Sequence, residues 1–215
     1  MAKPLIQLAL DSLDYQQTLK LASQAAEFVD CIEIGTPCLK YNGLGLLKEL
    51  RNLYPTKTIF VDLKTMDAGQ YEATPFFKAG ADITTVLGTA DIDTIKGVIA
   101  AANAHGKMAQ VDLINVENKP NRARESVQAG AHIIGIHTGI DQQLAGQTPF
   151  ADLQALLSLR LGAKISVAGG INKDTIAQVV RAGADIVVVG GAITGAKNPT
   201  VAAREIREAV DAAAS

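Results

Sequence analysis

The chain has 215 residues, of which 48% are hydrophobic and 20% charged, so it is long enough to bury one large core, and a single domain over residues 1–215 is expected. Lys and Arg number 20 against 22 for Asp and Glu, a net charge of −2 with no acidic or basic tract, which argues against nucleic acid and membrane surfaces as partners. Aromatic residues make up 4% and Trp is absent, which removes the stacking platforms that readers of single-stranded nucleic acid need.

From the N-terminus, the apolar run before Asp11 is too short for a signal peptide or a membrane span, and a cytoplasmic protein is expected. Cys31 and Cys38 form neither a disulfide framework nor a metal motif, so both are expected to be reduced and structural. Short runs rich in Ile and Val recur near residues 5, 29, 58, 82, 107, 132, 164 and 185, each followed by a helix-length stretch rich in Ala, Leu, Lys and Glu. The phrase Ala79-Gly80-Ala81-Asp82-Ile83 returns as Ala129-Gly130-Ala131-His132-Ile133 and Ala182-Gly183-Ala184-Asp185-Ile186. Its Gly suits a helix C-cap just before a buried strand. Strands such as Ile186-Val187-Val188-Val189 are apolar on both faces, as parallel sheets require. Eight such units predict an α/β protein, a single (β/α)8 TIM barrel, with a doubly wound open sheet as the alternative.

In a barrel, alternate strand residues point inward and the chemistry gathers at the C-terminal strand ends. That parity sends Gln7, Ala9 and Asp11 inward from the first strand, Glu33 from the second, Asp62 and Lys64 from the third, Gln110 and Asp112 from the fifth and His137 from the sixth. Asp67 follows in the loop after the third strand. A single polar strand end is as well explained by solvation or helix capping. Five strands sending acids, one Lys and one His to the same rim are not, because charges are rarely buried without partners. Asp11, Glu33, Asp62 and Asp112 with only Lys64 as permanent compensation would repel one another, and a hard cation such as Mg²⁺ relieves this. Lys64 among carboxylates should stay protonated and act by charge and hydrogen bonding rather than as an imine-forming nucleophile.

Gly169-Gly170 and Gly190-Gly191 follow the last two strands, where barrels often bind phosphate through main-chain N–H groups. The bland alternative is a pair of tight turns that need Gly. His132 stands in a slot held elsewhere by Asp, on the opposite rim, and is expected to be structural; His105 is expected at an exposed helix end.

The string Asp62-Leu63-Lys64-Thr65-Met66-Asp67 matches the Asp-x-Lys-x-x-Asp motif of the orotidine 5′-monophosphate decarboxylase superfamily. Gln7-Leu8-Ala9-Leu10-Asp11, Glu33-Ile34-Gly35-Thr36-Pro37, Gln110 to Asn115, Gly135-Ile136-His137-Thr138-Gly139 and Val167 to Gly170 extend the likeness from Leu5 to about Glu208. They resemble the hexulose-phosphate synthase branch of that superfamily. The resemblance implies an aldolase that condenses formaldehyde with D-ribulose 5-phosphate to D-arabino-3-hexulose 6-phosphate, the formaldehyde-fixing step of the ribulose monophosphate pathway. It also implies Mg²⁺ (or Mn²⁺) held by Glu33 and Asp62, and Lys64 bonded to a developing oxyanion. His137 would be the base, Asp112 its orienting or relaying partner, and Asp11 a ligand for substrate hydroxyls. Asp67 would reach the partner subunit's site, which implies a homodimer. The alternatives are 3-keto-L-gulonate-6-phosphate decarboxylase, whose strand-five Glu is Asp112 here, and a sugar-phosphate-binding barrel without catalysis.

Overall fold

In the computed structural model, which describes residues 3–215, eight parallel strands close into one barrel in sequence order. They are β1 (Leu5–Leu10), β2 (Cys31–Ile34), β3 (Thr58–Thr65), β4 (Ile83–Leu87), β5 (Met108–Asp112), β6 (Ile133–His137), β7 (Lys164–Ala168) and β8 (Ile186–Val189). The closed ring excludes the open doubly wound sheet and bears out the barrel expected from the recurring apolar runs.

Helices α1 (Tyr15–Ala25), α2 (Thr36–Leu53), α3 (Gly69–Ala79), α4 (Ile92–Ala104) and α5 (Lys119–Gln128) follow the first five strands. After β6 come the short α6 (Ile140–Leu144) and then α7 (Phe150–Ser158); α8 (Ile176–Ala182) follows β7, and the one-turn α9 (Gly191–Thr194) precedes α10 (Pro199–Ala214). Among the described residues no helix is long and apolar enough to cross a membrane. The repeated Gly closes its helix as expected: Gly80 and Gly183 are left-handed C-caps at φ 111° and 99°, and Gly130 lies just past α5 at φ 98°.

Strand alternation divides the core into two parts. Outward residues such as Leu8, Leu10, Ile32, Ile34 and Val61 pack against the helices. Inside the ring, Cys31, Ile83, Ile133 and Ile186, one from each even-numbered strand, join Phe60 and Met108 in a separate apolar plug. Because that plug fills the lower barrel, polar inward residues further along the strands face an opening at one end only.

The other rim is tied by a device that repeats every second strand. Residues just before the even strands accept hydrogen bonds from main-chain N–H groups near the start of the preceding odd strands. Asp30 binds Ile6 at 2.8 Å, Asp82 binds Ile59 at 2.8 Å, His132 binds Ala109 at 3.1 Å and Asp185 binds Ile165 at 2.7 Å. This is the structural role expected of His132. Since its Nδ1 accepts, the ring must be neutral, and burial lowers its pKa from the usual histidine value. Below about pH 6.5 the unfolded chain therefore takes up a proton that the folded one refuses, and stability falls with pH. The variant His132→Asp should lose this part of the acid slope while keeping the bond. Urea midpoints at pH 7.5 and 5.5 check it, and an unchanged slope would contradict it.

His105 differs from expectation. It does cap α4, but it is half-buried, with its ring stacked on Phe77 at 5.9 Å and its Nδ1 2.8 Å from the Ala101 carbonyl. The contact joins the consecutive helices α3 and α4. Cys31 and Cys38 are free and buried, as expected.

Candidate active site

The barrel mouth holds a cavity of about 650 Å³, within the range of small-molecule sites. Its wall includes Gln7, Asp11, Glu33, Asp62, Lys64, Gln110, Asp112 and His137, together with Gly169, Gly170, Gly190 and Gly191. Every inward polar residue singled out by strand parity thus comes to one cavity. Asp67 does not: it is exposed, lies off this wall, and its carboxylate accepts the neighbouring Ala68 N–H at 2.7 Å.

Four polar side chains form a continuous chain across the wall. Lys64 Nζ donates to Asp62 Oδ2 and to Asp112 Oδ2, both at 2.8 Å, and His137 Nδ1 lies 3.0 Å from the same Asp112 oxygen. Burial works against ionisation of Asp112, but the hydrogen bond to His137, together with the charge and hydrogen bond of Lys64, holds its carboxyl down at about 2. Beside an ionised Asp112, a neutral His137 ring carries its hydrogen on Nδ1, which leaves Nε2 with a free lone pair. Burial alone would discharge Lys64, yet Asp62 and Asp112 outweigh it and raise its pKa. That matches the protonated Lys64 expected and disfavours an imine route.

Lys64 reaches this position by an unusual path. Its backbone is left-handed at φ 47°, a conformation that costs a non-glycine residue about 1–3 kcal/mol, and the β3–β4 register shifts between Val61 and Thr65. Asp62, itself buried, is held from two more directions: Thr36 Oγ1 donates to Oδ2 at 2.8 Å and Thr85 Oγ1 donates to Oδ1 at 2.7 Å. Strand parity had singled out neither threonine. Thr85 is legible as an inward residue of β4, two positions from the plug residue Ile83, but a hydroxyl without a charge gives no signal in a search for acids and bases.

Glu33 accepts from Gln7 Nε2 at 2.8 Å. Burial and then the charge of Asp62 push it up to about 8, with the Gln7 bond pulling the other way. Desolvation and Asp62 likewise raise Asp11. Glu33 and Asp11 have no salt-bridge partner among the described residues, and with Asp62 they offer oxygen donors, so the set fits a hard divalent cation. Among the described residues no three His, Cys, Asp or Glu form a ready cage.

The glycine loops stand opposite. A Cβ on Gly169, at φ 118°, would come within 2.6 Å of the Thr138 carbonyl, so this turn admits only Gly. Gly190 differs: a Cβ there would meet nothing closer than Ala9 at 3.5 Å. A Cβ at 190 therefore has room, and the position lies on the cavity wall. With a phosphate at this wall, Gly190→Val should raise KM for a phosphorylated substrate about tenfold, a cost of about 1.4 kcal/mol in binding, with little change in melting temperature. Equal KM values would place the phosphate elsewhere.

Comparison with known proteins agrees with the geometry. Residues 4–206 match the model of the family described as orotidine 5′-phosphate decarboxylase / HUMPS. The chain is 62% identical over 202 residues to a 3-hexulose-6-phosphate synthase of Methylomonas aminofaciens, covering 94% of this chain and 97% of that one. It is similar to the crystal structure of 3-hexulose-6-phosphate synthase from Salmonella typhimurium, with a TM-score of 0.95 and 41% identity over 97% of this chain and 99% of the other. A 3-keto-L-gulonate-6-phosphate decarboxylase from Vibrio cholerae shares the fold at a TM-score of 0.87 with 29% identity, covering 98% and 99%. On both sequence and structure, the chain belongs to the orotidine 5′-phosphate decarboxylase / HUMPS family.

Proposed function

We propose that this barrel, residues 1–215, is a 3-hexulose-6-phosphate synthase, which joins formaldehyde to C1 of D-ribulose 5-phosphate and so fixes formaldehyde in the ribulose monophosphate pathway. The observation that carries the reading is the hydrogen-bonded chain His137–Asp112–Lys64–Asp62 on one cavity wall, in a sequence 62% identical to a synthase. A binding barrel has no need of an oriented imidazole beside a half-buried, charged lysine. The decarboxylase reading is weaker, because that relative is only 29% identical and the resemblance gives such enzymes a Glu where Asp112 stands.

The chemistry follows from the groups in place. Main-chain N–H groups at Gly169, Gly170, Gly190 and Gly191 bind the phosphate, and Asp11 accepts from sugar hydroxyls. Glu33 and Asp62 would hold Mg²⁺ or Mn²⁺. Such a cation, when bound, supplies Lewis-acid stabilisation to an enediolate. His137, its Nδ1–H fixed by Asp112, takes the C1 proton on Nε2. The ammonium of Lys64 donates a hydrogen bond to the oxygen on which charge develops. Carbon C1 then bonds to the formaldehyde carbon, the carbonyl π bond breaks, and the formaldehyde oxygen takes up the proton carried by His137. Atoms and charge balance without an oxidant or reductant.

Two copies make the working unit in this reading. Asp67 is free of its own cavity, and Met66 and Tyr71 beside it are 54% and 85% exposed, a surface suited to a partner. Incubation with formaldehyde and ribulose 5-phosphate, following the loss of formaldehyde, tests the activity. Turnover that stops on chelation and returns with Mg²⁺ supports the metal ligands. No loss of formaldehyde, or release of CO₂ from 3-keto-L-gulonate 6-phosphate instead, would reject the proposal.

A further inference from the structure

Strand β4 contributes no charge to the cavity, yet it controls how the charges of β3 are presented. Thr85 is 1% exposed and is not part of the cavity wall. Its hydroxyl donates to Asp62 Oδ1 at 2.7 Å and accepts the main-chain N–H of Lys64 at 2.8 Å. One small group thus uses its donor and an acceptor lone pair on two residues of the neighbouring strand.

Both bonds fall where β3 departs from regular pairing. The register with β4 breaks between Val61 and Thr65, and Lys64 turns left-handed at φ 47°. Without ladder partners, the Lys64 N–H depends on Thr85, and an unpaired N–H at this depth is costly. The turn directs the lysine side chain so that Nζ meets Asp62 Oδ2 and Asp112 Oδ2 together. With Oδ1 of Asp62 held from behind by Thr85, its Oδ2 faces Lys64 and Thr36.

We infer that Thr85 is a positioning residue: its hydroxyl locks the irregular turn of β3 and thereby sets Lys64 and Asp62 for the reaction, without itself touching the substrate. The inference rests on the proposed roles of Lys64 and Asp62. Its neighbour Thr84 supplies an internal control. Thr84 is fully buried on the same strand, and its hydroxyl has no hydrogen-bond partner, so the same Thr-to-Val change there removes no bond.

The experiment compares the parent, Thr85→Val, Thr85→Ser and Thr84→Val, with folding checked by circular dichroism and melting. Two quantities are read: hydrogen exchange of the Lys64 main-chain amide by NMR, and kcat and KM for condensation. In Thr85→Val the Lys64 amide should exchange at least about tenfold faster, and kcat should fall about 10- to 100-fold with KM within about threefold. Thr85→Ser, which keeps the hydroxyl, should recover kcat to within about threefold, and Thr84→Val should match the parent. If Thr85→Val does not fold, Thr85→Ala replaces it. Unchanged protection of the Lys64 amide overturns the inference, as does lost protection with undiminished kcat. Equal losses in both valine variants, or no recovery with Ser, would reduce Thr85 to ordinary packing and overturn it too. If the parent does not condense the two substrates, the functional reading fails and the inferred catalytic role falls with it. Amide exchange then still decides separately whether Thr85 holds the turn.

Discussion

In His137→Asn, exchange of the C1 proton of ribulose 5-phosphate with solvent deuterium is expected to slow by about 10²- to 10⁴-fold, the usual loss when a general base is removed. Binding of the sugar phosphate should change far less, because the contacts proposed for its phosphate and hydroxyls lie on other strands. In the proposed mechanism the imidazole is the base. Its Nδ1 lies 3.0 Å from Asp112 Oδ2, so the nitrogen left to accept a proton in the neutral ring is Nε2, and the contact holds the ring's direction. Asp112, the other acceptor nearby, is badly suited to substitute. Its carboxyl is held at about 2, Oδ2 is shared by Lys64 and His137, and Oδ1 accepts the Ile114 N–H at 2.9 Å. Both oxygens are occupied and the group is a weak base. Measuring exchange by NMR and binding by calorimetry separates the two effects. Unchanged exchange in the variant would remove His137 from the proton transfer.

How this site could be read in the sequence depends on which rule placed each residue. Asp11, Glu33, Asp62, Asp112 and His137 were legible because strand alternation is a hard geometric rule, and a closed barrel has one interior and one open end. The slot of His132 was legible for a related reason: the fold repeats its rim contacts every second strand, so one slot predicts the others. Lys64 was placed inward correctly, but by a rule that does not apply there. Parity assumed a regular strand, whereas the lysine reaches the cavity through a left-handed turn at a break in register. Nothing in Asp62-Leu63-Lys64 marks that turn, and the hydroxyl that pairs its main-chain N–H is Thr85, 21 residues away. The stacking of His105 on Phe77 was invisible for a similar reason: it arises from packing between two helices, and local patterns carry no record of it.

Mixing inactive Lys64→Ala protein with inactive Asp67→Ala protein under subunit exchange is expected to restore activity. Asp67 lies just past the end of β3, three residues beyond Lys64, exposed and away from the cavity of its own chain. Among the described residues its carboxylate accepts only the adjacent Ala68 N–H, and it makes no contact with the charged chain of its own cavity wall. A two-fold interface through this segment would bring it to the partner's Lys64, and a two-fold contact repeats the exchange in both directions. Each homodimer then has two damaged sites. In a heterodimer, one site receives both the Lys64→Ala and the Asp67→Ala change, and the other receives neither. With free exchange of equal amounts, half the dimers are mixed, so about a quarter of all sites are intact and about a quarter of the parent activity should return. Sites confined to single subunits predict none, because every subunit would still carry one lesion in its own cavity. Proof of mixed dimers by mass spectrometry, combined with no recovery, would therefore reject the shared site and leave Asp67 as a solvated cap on its loop.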